Sequence, residues 1–379
     1  MSRQIVTLLK GVGILLIITH NYMHWLPDCV AENEYTFNLE RINQLTDYLA
    51  NGGPHIILNF LSHFGHYGVA IFLFLSGYGL TRKYETPLQT TDTKTMQTGE
   101  PKQIALFRFI GNHALKLWKL MVPAVLLFVA IEMYLGTWNR PWSRLLPLLG
   151  FYSNLQPERD LILGPWWWFG LMMQFYVIWR LLIYRSGKLT LYITIAICLL
   201  TQIAAAWIER GNLASDSTLT NYLHYNFPCS MLAFGLGVAH ARYNLDWLRQ
   251  WWSPLVGLSL IIVGAFNAGI WCISSVGIIM IVVTFATNFK VRLHSSHIRY
   301  ITPHHTLVFF GKISAWLFAI HPIVRTYAIK MTKNNDDTYV YLSILIYLAG
   351  SVFLAWLFTH ATKKRLSDTI NNPKQSYEI

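Results

Sequence analysis

Apolar residues along this chain gather into long windows rather than alternating with polar ones. Each window holds about 20 residues, the length that crosses about 30 Å of hydrocarbon as a helix. The windows lie near 5–24, 56–80, 108–135, 165–184, 189–208, 225–242, 253–270, 271–288, 306–326 and 339–360. They predict an all-α polytopic membrane protein with about ten transmembrane helices around a polar cavity. Little polar sequence separates the windows that meet at 270/271. The shorter apolar piece "SRLLPLLGFYSNL" (143–155) is too brief to cross and predicts a re-entrant or interfacial segment. The Thr-rich stretch 84–106 predicts a flexible cytoplasmic loop, and residues 366–379 a polar cytoplasmic tail. A single integral-membrane domain then takes in residues 1–365. The chain carries no internal repeat and no inverted pair of broken helices.

Charge orients the windows. With the N-terminus inside, most of the 30 lysines and arginines fall on the cytoplasmic side, leaving Arg41, Arg140, Arg144, Arg159, Arg210, Arg325, Lys330 and Lys333 outside. Both termini are therefore expected in the cytoplasm. The net charge of +12 has this same origin and needs no nucleic acid. Composition agrees with a life in lipid: 54% of residues are hydrophobic and only 13% charged, against about 25% charged in soluble domains. The first window is broken by Lys10 and followed by no small-x-small site, so no cleavable signal peptide is expected. Cys29, Cys198, Cys229 and Cys272 have no metal-ligand spacing, and sequence leaves open whether Cys29 and Cys229 pair.

Polar groups inside such windows need a reason. "KGVGILLIITHNYMHW" (10–25) places His20, Asn21 and His24 near one end of an oily run. Ten residues from Lys10 make about 15 Å of helix rise, so His20 falls near mid-membrane or above it. An ionisable group there faces a cavity or a partner, and histidine accepts a proton near neutral pH. The alternative is a packing histidine bonded to a neighbour. "GKISAWLFAIHPIV" (311–324) repeats the arrangement, with His321 nine residues after Lys312 and Pro322 freeing the carbonyl of Phe318. His321 should lie at the depth of His20, lining an opened helix or sitting beside a plain proline kink.

The second window, "GHYGVAIFLFLSGYG" (65–79), is rich in small residues that let helices approach. Ser76 is read either as part of that packing or as a hydroxyl offered to a buried ligand. Arg108, Lys116 and Lys119 with His113 open the third window; they are either positive-inside anchors or a seat for the phosphates of a cytosolic cofactor. The His-rich inner loop "HSSHIRYITPHH" (294–305) lacks zinc spacing, and no metal site is expected. "GPWWWFGLMMQFY" (164–176) carries Trp166, Trp167 and Trp168, which suit an interfacial belt or a platform for a sugar or lipid head group. Gln174 lies further in, where an amide has hydrogen bonds to give.

Four of these stretches, in this order, resemble the membrane acyltransferase-3 family of bacterial surface-glycan O-acyltransferases: "KGVGILLIITH" (10–20), "GVAIFLFLSGY" (68–78), "WWFGLMMQFY" (167–176) and "GKISAWLFAIHP" (311–322). The resemblance implies a bacterial inner-membrane enzyme that moves an acyl group, commonly acetyl from acetyl-coenzyme A, onto a hydroxyl of a surface or exported glycan or glycolipid. No permanently bound cofactor is implied, and polysaccharide-biosynthesis proteins are implied as neighbours. It makes His20 the essential histidine, with Lys10, Arg108, Lys116 and Lys119 toward the coenzyme. Trp167, Trp168, Gln174, His24 and Asn21 would face the acceptor, and His321 and Ser76 would assist catalysis. The chain departs from the family pattern in three places. Ten positions rather than eleven separate Lys10 from His20, Asn112 and His113 stand where an arginine pair is usual, and Met172 and Met173 stand where one branch has two carboxylates. The rival reading is a transporter or flippase for a lipid-linked glycan, which suits mid-membrane polar groups but not the scarcity of intramembrane carboxylates. A glycosyltransferase would want acidic loop ligands, for which Asp336 and Asp337 are the one adjacent pair.

Overall fold

The computed structural model describes residues 1–30, 32, 36–53, 55–85, 105–156, 162–210, 222–295, 303–334 and 337–371. The predicted loop at 84–106 and loop 294–305 lie largely outside them, as does the end of the predicted tail. The described residues are helical throughout, with no strand among them. The helices are α1 (Arg3–Met23), α2 (Leu39–Ala50), α3 (Ile56–Phe64), α4 (Gly68–Tyr84), α5 (Leu106–Tyr134), α6 (Leu145–Leu149) and α7 (Trp167–Ile178). After these come α8 (Lys188–Arg210), α9 (Phe227–Tyr243), α10 (Ser253–Phe266), α11 (Ala268–Ser295), α12 (Pro303–Ala328) and α13 (Asp337–Asn371). Ser2 caps the first by accepting from the Ile5 N–H at 3.3 Å.

Among the described residues, seven helical runs are long and apolar enough to cross a membrane: Arg3–Met23, Ile56–Tyr84, Leu106–Tyr134, Lys188–Ile208, Ala268–Asn288, His305–Thr332 and Asp337–Thr362. The predicted windows at 165–184, 225–242 and 253–270 also fold as helices, but shorter ones. A 3₁₀ turn at Gly164–Trp166 and a π turn at Trp179–Ile183 flank α7. Asn244 closes α9 in the left-handed region, at φ 46°. The short segment after α5 packs beside that helix: the Trp118 indole donates to the Leu149 carbonyl at 2.7 Å and stacks on Phe151. Trp118 is about 18 Å along α5, so this piece reaches mid-helix depth, as a re-entrant segment does.

Glycines set the close helix contacts. A Cβ on Gly68 would meet Gly13 O at 2.5 Å and Ile17, and one on Gly65 would meet His20 and Leu16 at 2.7 Å, so α4 runs antiparallel to α1 in contact. Gly11 against Leu307 and Gly311 against Thr7 bring α12 onto α1 in parallel. That pairing carries through to the far ends, where Arg325 donates to the Asn21 carbonyl at 3.2 Å and lies over Trp25. Gly77 and Gly237 do the same for α4 and α9. Tyr347 of α13 stacks on Tyr22 and donates to the Ile18 carbonyl at 2.8 Å. The bundle thus has two chemically different ends. One gathers the start of α1 and of α5 with the ends of α4 and α7, and is rich in lysine; the other gathers His20, His24, His63 and His66.

Candidate active site

His20 is 3% exposed. Its Nδ1 lies 2.7 Å from the carbonyl oxygen of Ser62. A carbonyl can only accept, so Nδ1 carries a proton, and in the neutral ring the lone pair falls on Nε2, the form a general base needs. The segment that presents that carbonyl is held from below. Asn59 accepts from the Val30 N–H at 2.9 Å and donates to the Asp28 carbonyl at 3.1 Å, and the Ser62 hydroxyl donates to the Val30 carbonyl. Three more histidines surround the ring. His24 lies at 4.8 Å and donates Nδ1–H to the His20 carbonyl at 2.7 Å; His66 lies at 5.8 Å; His63 follows on the next position but two. His63 Nδ1 is 3.7 Å from the buried carboxylate of Glu32, which Arg41 clamps at 2.6 Å. Among the described residues no group of three or more His, Cys, Asp or Glu is arranged to hold a metal ion.

From His20 toward the lysine end, one stripe of α4 comes away from α1, although Tyr78 beside that stripe still bonds Met1 at 2.6 Å. Positions 68, 72, 76, 79 and 83 share one stripe of α4. At Gly65 and Gly68 the stripe touches α1, at Phe72 it meets Gly13 through a side chain, and at Gly79 an added Cβ would have nothing within 4 Å. The contact therefore opens like a V with His20 near its apex. Phe72, Trp168 of α7 and Phe318 of α12 meet there, at 6.4 and 5.9 Å between ring centres, yet each stays only half-buried. Each keeps part of its surface clear of the described residues. At the mouth, Lys83 and Lys116 bring their ammonium groups together beside Tyr84 and His113. Two like charges side by side suit an anion.

The other expected residues fall in different places. His321 is fully buried, at the depth of Asn21. It donates Nδ1–H to the Leu317 carbonyl at 3.0 Å, and its Nε2 has no partner among the described residues. The Ser76 hydroxyl donates to the Phe72 carbonyl at 2.8 Å, and Ser76 lies about 16 Å of helix rise from Gly65 and hence from His20. It lines the V rather than serving His20. Gln174 is not free for an acceptor: it donates to Asn226 Oδ1 at 2.5 Å and accepts from the Phe227 N–H at 3.1 Å, pinning the start of α9. Asn21 turns its amide to the Ile17 carbonyl at 3.0 Å. Lys10 is half-buried on α1, next to the Gly11 contact, while Lys119 and Arg108 are exposed on α5, Arg108 about 12 Å of rise from Lys116. The three tryptophans divide their work. Trp166 donates to the Ala319 carbonyl at 3.0 Å, Trp167 lines a cavity, and Trp168 faces Phe72 and Phe318.

A comparison with known families settles the class of this geometry. The acyltransferase-3 family model, described as an acyltransferase domain, matches residues 3–360. The chain belongs to the acyltransferase-3 family. It is therefore a membrane acyltransferase, and the match gives the carrier reading no support. No curated protein and no solved structure matches it. For an acyltransferase, a neutral imidazole with a lone pair on Nε2 is the group that takes a proton from a hydroxyl.

Several groups in this site carried no flag in the sequence reading. His63 and His66 stand three apart in "LSHFGHYG" (61–68), so they share a helix face beside His20, and that spacing was the available signal. Lys83 lies seven residues after Ser76 on the same stripe. Glu32 and Arg41 meet across a connection whose path no periodicity reports. Cys29, Cys198, Cys229 and Cys272 form no disulfide among the described residues. Burial first, and the Asp28 carboxylate second, push the Cys29 thiol up to about 12, so it stays protonated and unreactive at neutral pH.

Proposed function

We propose that this acyltransferase carries an acetyl group from cytoplasmic acetyl-coenzyme A to a hydroxyl of a cell-surface or exported glycan, in the inner membrane of a bacterium. In this reading about ten helices cross the bilayer, with α7, α9 and α10 as the shorter spans and both termini in the cytoplasm. The lysine end then faces the coenzyme, and the histidine end faces the acceptor and its polysaccharide-biosynthesis neighbours. Lys83 and Lys116 hold the phosphates. The pantetheine arm runs along the Gly79–Ser76–Phe72 stripe and delivers the thioester toward His20.

His20 Nε2 removes the proton of the acceptor hydroxyl. The oxygen attacks the thioester carbonyl carbon, the carbon–sulfur bond breaks, and the coenzyme thiolate takes the proton back from His20. The buried Nε2 of His321 accepts a hydrogen bond from a bound reactant. Ser76 and Gln174 take no part as oxyanion donors, because the hydroxyl of one and the amide of the other are committed elsewhere. The single observation that carries this reading is the 2.7 Å bond from His20 Nδ1 to the Ser62 carbonyl, which fixes the basic tautomer at the apex of the V. Membranes holding the protein, given acetyl-coenzyme A labelled in the acetyl group, should pass label to glycan. Label that stays on the coenzyme, in membranes with acceptor present, removes the proposal.

A further inference from the structure

The histidine end holds a cavity that the chemistry above does not use. It is walled by His66 and Tyr67 of the α3–α4 run, Trp167, Gln202 of α8, and Trp271 and Ser275 of α11. No lysine, arginine, aspartate or glutamate lines it. It offers about 70 Å³ to the centres of water molecules, room for about five to seven of them. That is the scale of one sugar ring and too little for a chain of them.

Its polar groups are unusual for a buried site. Most serines and threonines on these helices return their hydroxyls to a carbonyl three or four residues back, as Thr19, Ser76 and Thr287 do. Ser274 is also engaged, accepting from Tyr67 at 2.9 Å and donating to the Trp271 carbonyl at 2.7 Å. Gln202, Ser230 and Ser275 face the same cavity and make no side-chain hydrogen bond among the described residues. Gln202 is only 8% exposed. A ligand with donors and acceptors makes the hydrogen bonds that this amide lacks within the protein. Two indole walls and three unpaired uncharged polar groups match a neutral polyhydroxylated ring. His66 stands between the cavity and the reacting centre, its ring 5.8 Å from that of His20. A smaller void shares His66, Tyr67 and Trp271 with it and extends past Glu32 to the exposed Asn38, toward the protein surface.

We propose that this cavity is the acceptor subsite and takes one neutral sugar residue, with Gln202, Ser230 and Ser275 reading its hydroxyls. The inference rests on the acyl-transfer reading above and adds the class and size of what is recognised. It is tested on the full-length protein with methyl glucoside, methyl galactoside and methyl N-acetylglucosaminide as acceptors. Gln202→Leu and the milder Ser275→Ala should each raise KM for the best of these at least fivefold. Hydrolysis of acetyl-coenzyme A without acceptor should stay unchanged. Cys229 lines the same cavity. In the chain carrying Cys29→Ser, Cys198→Ser and Cys272→Ser, its alkylation by N-ethylmaleimide should slow at least threefold under saturating glycoside. If both variants keep the wild-type acceptor KM and alkylation is not slowed, the subsite is refuted while acyl transfer stands. If the wild type transfers no acetyl group at all, the underlying reading fails, and glycoside protection of Cys229 still reports on the cavity by itself.

Discussion

Replacing Gly65 by alanine asks whether the position of His20, and not just its presence, sets the rate. The added Cβ would lie 2.7 Å from His20 Cβ and 2.7 Å from the Leu16 carbonyl oxygen. Comfortable contact starts near 3.5 Å, so α1 and the α3–α4 junction must separate by about 0.8 Å at this point. The backbone itself accepts alanine, since φ at Gly65 is −66°. Overpacking of one methyl costs about 1–3 kcal/mol of stability, which a multi-helix bundle survives. Catalysis is less forgiving. A shift near 1 Å in a reacting group costs up to about 100-fold, equivalent to about 2.7 kcal/mol of barrier. Gly79→Ala is the matched control: it adds the same atom to the same stripe of α4 with nothing within 4 Å to displace. The assay is transfer of labelled acetyl from the coenzyme to glycan in membranes with matched protein levels, with kcat followed at saturating donor. Gly65→Ala should lose between 10- and 100-fold, and Gly79→Ala less than twofold. A Gly65→Ala protein as active as Gly79→Ala would mean that His20 tolerates displacement, and the general-base role would be lost with it.

Other outcomes follow from the same coordinates. His20→Ala should lower turnover about 10²–10⁴-fold, the usual worth of a general base, while the protein still purifies as a folded species; undiminished transfer would contradict the role. Lys83→Gln and Lys116→Gln should each raise KM for acetyl-coenzyme A about tenfold, or about 1.4 kcal/mol, with the effect shrinking as salt rises. Neither change should matter for an acetyl-pantetheine thioester without nucleotide phosphates, and an equal loss on that substrate would rule out phosphate contact. Gln174→Leu strands the Phe227 N–H and Asn226, at about 1–3 kcal/mol for each buried group. It should lower the thermal unfolding temperature in detergent and leave the acceptor KM near wild type, whereas the reverse pattern would return Gln174 to the acceptor site.

How far the sequence could be read depended on whether a feature was local. The ten apolar windows all fold as helices because hydropathy over 20 residues is a sum that no distant contact changes. Windows 165–184, 225–242 and 253–270 are short for a local reason as well, the special turns around Trp167 and Asn244 and the extended Asn267 that closes α10, but hydropathy does not register backbone geometry. The spacing from Lys10 to His20 and from Lys312 to His321 placed both rings at one depth, and the parallel α1–α12 pairing puts them there. Gln174 was misjudged because its partner stands 52 positions away, at Asn226. Ser76 was judged by its motif, whereas the rise of an antiparallel helix decides how far it is from His20. Gln202 passed unnoticed because a lone amide in an oily helix gains meaning only when the groups around it are known to be unable to satisfy it.

His20 differs from most other histidines of the helices in the origin of its hydrogen bond, although His55, which meets the Tyr341 hydroxyl at 2.9 Å, also reaches a distant segment. His24, His66, His113, His321 and His360 each donate Nδ1–H to a carbonyl three or four residues back on their own chain segment. That is the ordinary way to house an imidazole in a membrane helix, and it needs nothing from the rest of the fold. His20 reaches across to Ser62, 42 positions away. Its tautomer therefore depends on the α3–α4 run being seated on α1, which requires the glycines at 65 and 68, and on the Asn59 and Ser62 bonds that hold residues 28–30 against α3. The same glycines close the helix pair toward the histidine end, while the stripe is uncovered at Gly79 toward the lysine end. In the proposed reaction, one stripe of α4 thus sets both the proton location on the base and the side from which a thioester approaches it. A packing histidine would gain nothing from either arrangement.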